Sequence, residues 1–142
     1  MPNPFDAEKL ALESFKIISE NIFVPEFFDE SLIKEFGSTN QLSISFNLEQ
    51  KLIRAEFDFE ILTKSESSEE AKANYKFVLI YSCSNLEELA HADGEELKVN
   101  SQLGFAISAI SYSTIRGILL IKLSETVFQD FILPIIKPNL PN

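Results

Sequence analysis

The stretch QLSISFNLEQKLIRAEFDFEI, residues 41–61, carries the clearest structural pattern in this chain of 142 residues. In residues 41–50, and again in residues 53–61, apolar side chains alternate with polar ones. Successive side chains of a β-strand point to opposite faces, so each run predicts a strand with one buried face and one wet face. Strands of this kind are typical of an antiparallel sheet that is covered on one side.

Two further strands are predicted on either side of this pair. FKIISENIFV (15–24) is rich in Ile, Phe and Val and stops at Pro25, and we expect an irregularity near Ser19–Asn21. YKFVLIYSC (75–83) is apolar on both faces, which predicts cover on each side. A solvated turn at residues 64–73 precedes it. Together the four runs predict a four-stranded antiparallel meander.

Helices are predicted at both ends of the chain. PFDAEKLALES (4–14) has the first-turn residues and spacing of a short helix. Val99–Ile115 contains no charge, its apolar pattern extends to Leu123, and apolar or small residues occupy almost its whole circumference, which predicts a long helix buried all round. A short C-terminal helix is expected after Ser124, ended by Pro134. The predicted fold is a single α+β domain over residues 1–142.

Two connections stand out. Pro25–Asn40 is expected to be a long connection with five large apolar residues, and connections of that length are uncommon unless functional. Residues 86–97 form an acidic connection that Gly94 interrupts. The chain has 13 phenylalanines and no tryptophan, so these rings either fill a Phe-rich core or line an apolar binding surface.

The long predicted helix raises the question of a membrane span. Several serines, Arg116 and Lys122 make the segment too polar for a bilayer, which needs about 20 predominantly apolar residues. A helix buried between sheets or between subunits is the better interpretation. We expect a homo-oligomer whose subunit contact uses the small residues of this helix, with packing inside one subunit as the alternative. These residues are Gly104, Ser108 and Ser111.

Composition argues against several classes of function. The net charge of −10 repels phosphate backbones and anionic lipid surfaces, so we expect neither nucleic-acid nor membrane binding. The single cysteine cannot form an internal disulfide. The N-terminal residues show no basic stretch followed by an apolar one, so we expect a cytoplasmic protein.

The residues that could support catalysis do not form a recognisable constellation. His91 has only Asp93 as a nearby partner, and Cys83 has apolar neighbours that disfavour a thiolate. Carboxylates recur at Glu56, Asp58 and Glu60 on one strand face, which predicts a solvated face or an acidic docking surface for a basic partner. No phosphate-binding glycine motif occurs. We therefore expect no enzyme, no cofactor and no metal.

The segments at the two ends resemble those of a known family. FKIISENIFVPEF (15–27) is similar to the opening strand of the SecB family of export chaperones, and ISYSTIRGILLIKLSETVFQDFILPIIKPNL (110–140) resembles the family's long helix, turn and closing segment. The order of four strands, a long helix and a short one agrees as well. The resemblance implies a dimer of dimers that holds unfolded or precursor polypeptides in apolar grooves without nucleotide.

The resemblance also implies where partners bind. The family's groove lies beside the connection between the first two strands and beside the second helix. By position this selects eight residues for binding unfolded polypeptide: Phe27, Phe28, Leu32, Ile33, Phe36, Phe128, Phe131 and Ile132.

Many family members deliver clients to the SecA motor through acidic residues on the sheet, and some relatives instead serve an antitoxin. Asn21 and Leu79 stand at two of the acidic places, which puts delivery to SecA in doubt. The area is nevertheless expected to stay acidic through Glu20, Glu26, Glu56, Asp58 and Glu60. The alternatives to a general chaperone are an adaptor dedicated to one partner, such as an antitoxin, and a carrier of small apolar ligands.

Overall fold

A computed structural model describes residues 4–134 of the chain. Its main body is a four-stranded antiparallel sheet followed by a small two-stranded hairpin and one long helix. The elements are β1 (Leu10–Phe23), β2 (Glu35–Asn47), β3 (Leu52–Lys64), β4 (Lys72–Cys83), β5 (Ala90–Asp93), β6 (Glu96–Val99) and α1 (Ser101–Leu123). The strands predicted at 41–50, 53–61 and 75–83, and the long helix, are confirmed.

The sheet is not the meander that we predicted. Its strand order is β1-β4-β3-β2, so β2, β3 and β4 follow one another as hairpins while β1 lies beside β4. This is the arrangement of a Greek key. The chain must cross one end of the sheet between β1 and β2, and residues 24–34 make this crossing. Because β4 is apolar on both faces, it takes a central place, and β2 is left at an edge.

The core lies between one face of the sheet, the inner face, and α1. In β3, every second residue from Ile53 to Ile61 is at most 2% exposed, as the alternation predicted. The buried residues of α1 recur every three or four positions, among them Ile107, Ser111 and Ile115. Each fully buried aliphatic or aromatic side chain contributes about 1.5–3 kcal/mol to folding. The hydroxyls of Tyr81 and Ser111 share a hydrogen bond of 2.7 Å across this layer.

The helix is buried on one side only, which corrects the prediction that it is buried all round. Phe105, Ile110, Leu120 and Ile121 are between 41% and 76% exposed on the side that faces away from the sheet. By length and composition alone, α1 is long and apolar enough to span a bilayer. The core helices of soluble proteins meet the same two criteria. The small residues predicted for a subunit contact lie on the opposite, buried side and let α1 approach the sheet: Gly104, Ser108 and Ser111.

The predicted N-terminal helix over residues 4–14 is wrong. Only Ala7–Lys9 forms a 3-10 turn, which Asp6 caps by accepting a hydrogen bond of 3.0 Å from the Glu8 amide. Leu10 already begins β1 and pairs with Cys83. Pairing with β4 overrides the local helical spacing here, because it buries Leu10 against the core. The pairing of β1 shifts register at Glu13 and at Ile18, so the expected irregularity lies just before Ser19.

The connections also differ from expectation. β2 begins at Glu35, which shortens the predicted connection Pro25–Asn40 to residues 24–34. The acidic connection at 86–97 contains the β5–β6 hairpin, in which Gly94 has a φ of 69° that suits glycine.

No second helix follows α1 in the part of the chain that ends at residue 134. Residues 124–130 form successive turns and bends, and residues 131–134 have no regular secondary structure. The hydroxyls of Ser124 and Thr126 hydrogen-bond to the carbonyls of Ile121 and Leu123, which ends the helical pattern locally. The predicted stiff tail beyond Pro134 lies outside the described residues.

Candidate functional site

The crossing segment, residues 24–34, displays one phenylalanine to solvent. The Phe28 amide donates to the Pro25 carbonyl at 3.0 Å, and the resulting turn places Phe27 at its tip, where the residue is 92% exposed. Phe28 packs against the core and holds the turn down. Asp29 accepts hydrogen bonds from the hydroxyl and amide of Ser31, which lower the pKa of its carboxyl. The turn, the packing of Phe28 and the hydrogen bonds of Asp29 therefore hold Phe27 in its exposed position.

A cluster of aromatic rings lies next to the crossing segment, where β2 begins. The ring of Phe36 lies 6.1 Å from that of Phe128 and 6.0 Å from that of Phe131. Phe131 also lies 5.8 Å from Phe59 of the core. We call Phe36, Phe128 and Phe131 the aromatic cluster. The closing segment, residues 124–134, brings two of its rings back to the sheet because Tyr112 and Arg116 of α1 hydrogen-bond to the carbonyls of residues 134 and 133.

The eight residues predicted to bind polypeptide therefore separate into three groups. Phe128 is fully buried and belongs to the core. Phe28, Ile33, Phe36 and Phe131 are partly buried. The remaining three are exposed: Phe27, Leu32 and Ile132. The structure thus places part of the predicted groove in the core, and no ring contact among residues 4–134 joins Phe27 to the aromatic cluster.

An open cleft of about 470 Å³ lies between the end of β1 and the closing segment. Its apolar wall consists of Ile22, Val24 and Val127, and Glu30 and Glu125 stand at its rim. From the sequence, Ile22 and Val24 were predicted to belong to an ordinary strand. Their signal was the unbroken apolar run Ile22–Val24 directly before Pro25, which does not alternate.

The free edge of β2 is the second feature of this region. Among residues 4–134, β2 pairs only with β3, so its other side carries backbone groups without a strand partner. Its pairing runs from Glu35 to Asn47 without a register shift. Residues 36–47 carry no charge. An edge that is long, regular and uncharged is a template for another strand.

The predicted acidic face does not exist as one surface. Glu56 and Asp58 lie on the outer face of the sheet, but Lys76 is 3.6 and 3.7 Å from their carboxylates, and Arg54 lies 3.4 Å from Glu56. Glu60 shares this face and Glu26 lies in the turn beside Phe27. The outer face is therefore mixed in charge rather than acidic.

Glu20 faces the other side of the sheet. It stands opposite the buried Tyr75, and Lys122 of α1 lies 3.4 Å from its carboxylate. The cause is the extra residue at Ile18, because one added residue moves all the following side chains of a strand to the opposite face. Glu20, which was expected to share an acidic area with Glu56, Asp58 and Glu60, therefore lies on the opposite face from them.

Candidate catalytic residues remain isolated in the structure. His91 lies exposed on β5. The Cys83 thiol is buried, contacts the Asn85 side chain at 3.4 Å, and has its pKa raised by burial, so it is not a reactive thiolate. Between residues 4 and 134, no group of three metal-binding side chains comes together.

Comparison with known proteins yields a structural match but no sequence match. No protein-family profile and no curated protein matches the chain. Among solved structures, the chain is similar to the Mycobacterium tuberculosis Rv1957 SecB-like chaperone in complex with a ChAD peptide from the HigA1 antitoxin. The TM-score is 0.62 at 8% sequence identity, and the match covers 94% of this chain and 95% of that one. The chain has a SecB-like fold.

The SecB-like fold accounts for the sheet and α1, as the sequence resemblance implied. The short second helix of the predicted fold is absent from residues 4–134, where the closing segment takes its place. At 8% identity the likeness establishes the fold and leaves the function to be argued from the site.

Proposed function

We propose that this chain is a chaperone that binds extended segments of other polypeptides without nucleotide, as an added strand on the free edge of β2. The observation that carries the proposal is the unpaired and regular edge of β2, whose own residues 36–47 carry no charge and which begins directly beside the aromatic cluster. Strand addition supplies affinity through main-chain hydrogen bonds, which every sequence can make.

The apolar surroundings of this edge support the same function. Phe27, Leu32 and Ile132 are exposed near the end where β2 begins, and the cleft beside Ile22 adds further apolar surface. Apolar surfaces discriminate weakly, because one methylene changes the free energy of binding by only about 1–3 kcal/mol. Backbone pairing combined with weak side-chain selection suits a protein that holds many different unfolded chains.

The decisive experiment uses a fluorescent ten-residue host peptide in which Leu alternates with Thr. N-methylation of the alternate amides on one edge of this peptide removes the donors that would pair with β2, whereas methylation on the other edge leaves them. We expect one methylated peptide to lose at least about tenfold in affinity and the other to bind like the parent. Equal binding of both would rule out strand addition.

A second experiment tests the chaperone function itself. The protein should suppress aggregation of a refolding test protein at a near-stoichiometric ratio and without ATP. A failure to suppress aggregation at every ratio would exclude a general holdase.

A chaperone dedicated to one partner is a second candidate. It is favoured by the structural neighbour, a SecB-like chaperone in complex with a peptide from an antitoxin. A dedicated chaperone should co-purify with a single stoichiometric protein and should protect that protein better than unrelated clients. A general holdase should show no such preference.

The other functions expected from the sequence have less support. Arg54 and Lys76 lie among the carboxylates of the outer face, so this face is mixed in charge and the proposal does not include export. The described clefts open to solvent, whereas a carrier of small apolar ligands encloses them.

Self-association is part of the proposal, through the outward side of α1. The exposed Ile110, Leu120 and Ile121 form a stripe without charged residues, and Ser113 and Gly117 lie between them. Space is open around Gly117, so a second copy of α1 could approach closely there. Light scattering should give a mass above one chain for the parent, and Ile110→Glu should lower it. Ile132→Glu, in the closing segment, should leave the mass unchanged.

A further inference from the structure

Gly37 brings a positive charge to the free edge of β2. A Cβ placed on Gly37 would lie 3.0 Å from Cε and 3.6 Å from Nζ of Lys64. The lysine side chain therefore occupies the space above Gly37 that any other residue would fill. Lys64 lies on β3, and Gly37 lies on β2, beyond which no strand follows in the described chain. The glycine lets Lys64 extend across β2 and carry its ammonium group to the edge of the sheet.

The surroundings of Lys64 suit an acidic group on an apolar stem. An open cleft of about 390 Å³ on the outer face is lined by two lysines, Lys64 and Lys72, by one carboxylate, Glu60, and by Gly37 and Leu62. Leu62 is 43% exposed there, and the Lys72 ammonium lies 6.0 Å from the Phe23 ring centroid. The ion pair of Lys64 with Glu35 is long at 3.7 Å and exposed, so it competes weakly with another carboxylate.

The two faces of the β2 edge therefore differ in chemistry at the same place. Phe36 and Ser38 face the inner side of the sheet, next to the aromatic cluster, whereas Gly37 faces the outer side beneath Lys64. A strand that pairs with β2 directs its own side chains alternately to these two faces. Its residue opposite Gly37 lies within reach of the Lys64 ammonium, and its two neighbours meet apolar or small side chains.

We infer that the segment bound at β2 carries an acidic residue opposite Gly37, between two apolar residues opposite Phe36 and Ser38. This inference rests on the proposed function and specifies its ligand. A second copy of this chain fits the place poorly, because two β2 strands paired about Gly37 would bring two Lys64 ammonium groups together.

The expected preference for an acidic residue opposite Gly37 is opposite to the effect of the protein's net negative charge, so an experiment can separate the two. The net negative charge attracts basic segments over long range, whereas Lys64 selects an acidic residue at one position. The test uses the Leu-Thr host peptide with its central Thr replaced by Glu, Gln or Lys. At low ionic strength we expect affinity to fall in that order, with about a fivefold difference between the Glu and Lys peptides.

Three variants locate the effect. Lys64→Glu should reverse the order of the peptides, and Lys64→Gln should abolish the preference. Lys76→Glu changes an outer-face lysine that pairs with Glu56 and Asp58 away from the edge, and it should leave the order unchanged. Lys64 has a side chain that is 55% exposed, so these substitutions should preserve the fold, which circular dichroism checks.

The outcomes separate this inference from the proposed function. Equal binding of the three peptides, or an unchanged order in Lys64→Glu, overturns the inference while polypeptide binding stands. If Lys64→Gln only increases self-association and keeps the order, Lys64 serves to protect the edge and the inference is wrong. If no peptide binds the parent protein, the inference and the proposed function fail together.

Discussion

The two edges of the main sheet differ in every property that governs strand addition. β1 shifts register at Glu13 and Ile18 and carries charged residues along its length, whereas β2 pairs without interruption from Glu35 to Asn47. Bulges and charges are the devices by which proteins prevent edge pairing. The chain thus protects one edge and leaves the other open, next to the aromatic cluster. The proposed binding therefore depends on which edge strand of the sheet is regular.

The largest effect is expected from making β1 resemble β2. Ile17 and Ser19 pair with the consecutive residues Phe77 and Lys76 of β4, so deleting Ile18 removes the extra residue and makes β1 regular at this point. The edge should then be regular over a longer stretch and should associate strongly with other chains. Light scattering over a concentration series measures this. Deleting Ser68 in the loop between β3 and β4 is the matched control, and equal masses for the two deletions would contradict the role of the bulge.

Removing one aromatic ring from each edge comes next. Phe15 on β1 contacts Phe77 at 5.7 Å, and Phe36 on β2 contacts two rings of the aromatic cluster. Because both residues are partly buried, Phe15→Ala and Phe36→Ala should each lower the free energy of unfolding by about 2 kcal/mol in urea titrations. Only Phe36→Ala should also weaken binding of the Leu-Thr peptide. A similar loss of binding in Phe15→Ala would show that stability alone governs affinity.

Adding a charge to the free edge of β2 should have a smaller effect, and only the affinity for the Leu-Thr peptide should change clearly. Asn40 is exposed on the inner face of the β2 edge, and an inward-pointing lysine there discourages strand addition. Asn40→Lys should lower affinity for the peptide by about tenfold while changing stability by less than about 1 kcal/mol. Ser19→Lys, at an exposed position of β1, is the matched control and should bind normally.

The smallest effect concerns the pH dependence of stability at Tyr75, the β4 residue that pairs with Glu20 of β1. Burial, and secondarily the charge of Glu20, raises the pKa of Tyr75 to about 12. A phenol with a raised pKa in the folded state stabilises the fold fully below its unfolded value of 10.0, and this stability is lost as pH rises through about 12. Glu20→Gln should shift alkaline unfolding slightly upward in pH. Tyrosinate absorbance followed together with circular dichroism measures the shift, and a downward shift would contradict the effect of Glu20.

The parts of the fold that follow from local pattern were predictable. The alternation in residues 41–61 placed β2 and β3 correctly, and the charge-free run after Val99 identified α1. Spacing of apolar residues is a property of a single segment, and burial of one face follows directly from it. The proposal of polypeptide binding also came from the surplus of phenylalanines and from the resemblance, although Phe128, one of the residues named for it, belongs to the core.

The errors arose where two distant segments had to meet. Instead of the helix predicted over residues 4–14, the chain from Leu10 onward pairs with β4. The predicted acidic face is divided because the register shift at Ile18 turns Glu20 to the inner face. The open edge was missed because strand order does not follow from the strands themselves. The contact of Lys64 with Gly37 could not be predicted from the sequence either, because 27 positions separate the two residues.

The sequence alone determined the central parts of the four main strands, the presence of the long helix α1, and the net negative charge of the chain. These features depend on periodicity and composition, which each segment carries by itself. Only the tertiary structure decided that β1 lies beside β4, that β2 remains open, and that a lysine reaches that edge. The physical reason is that strand order, bulges and close approaches depend on competition between pairings of distant segments, and no single segment records its outcome.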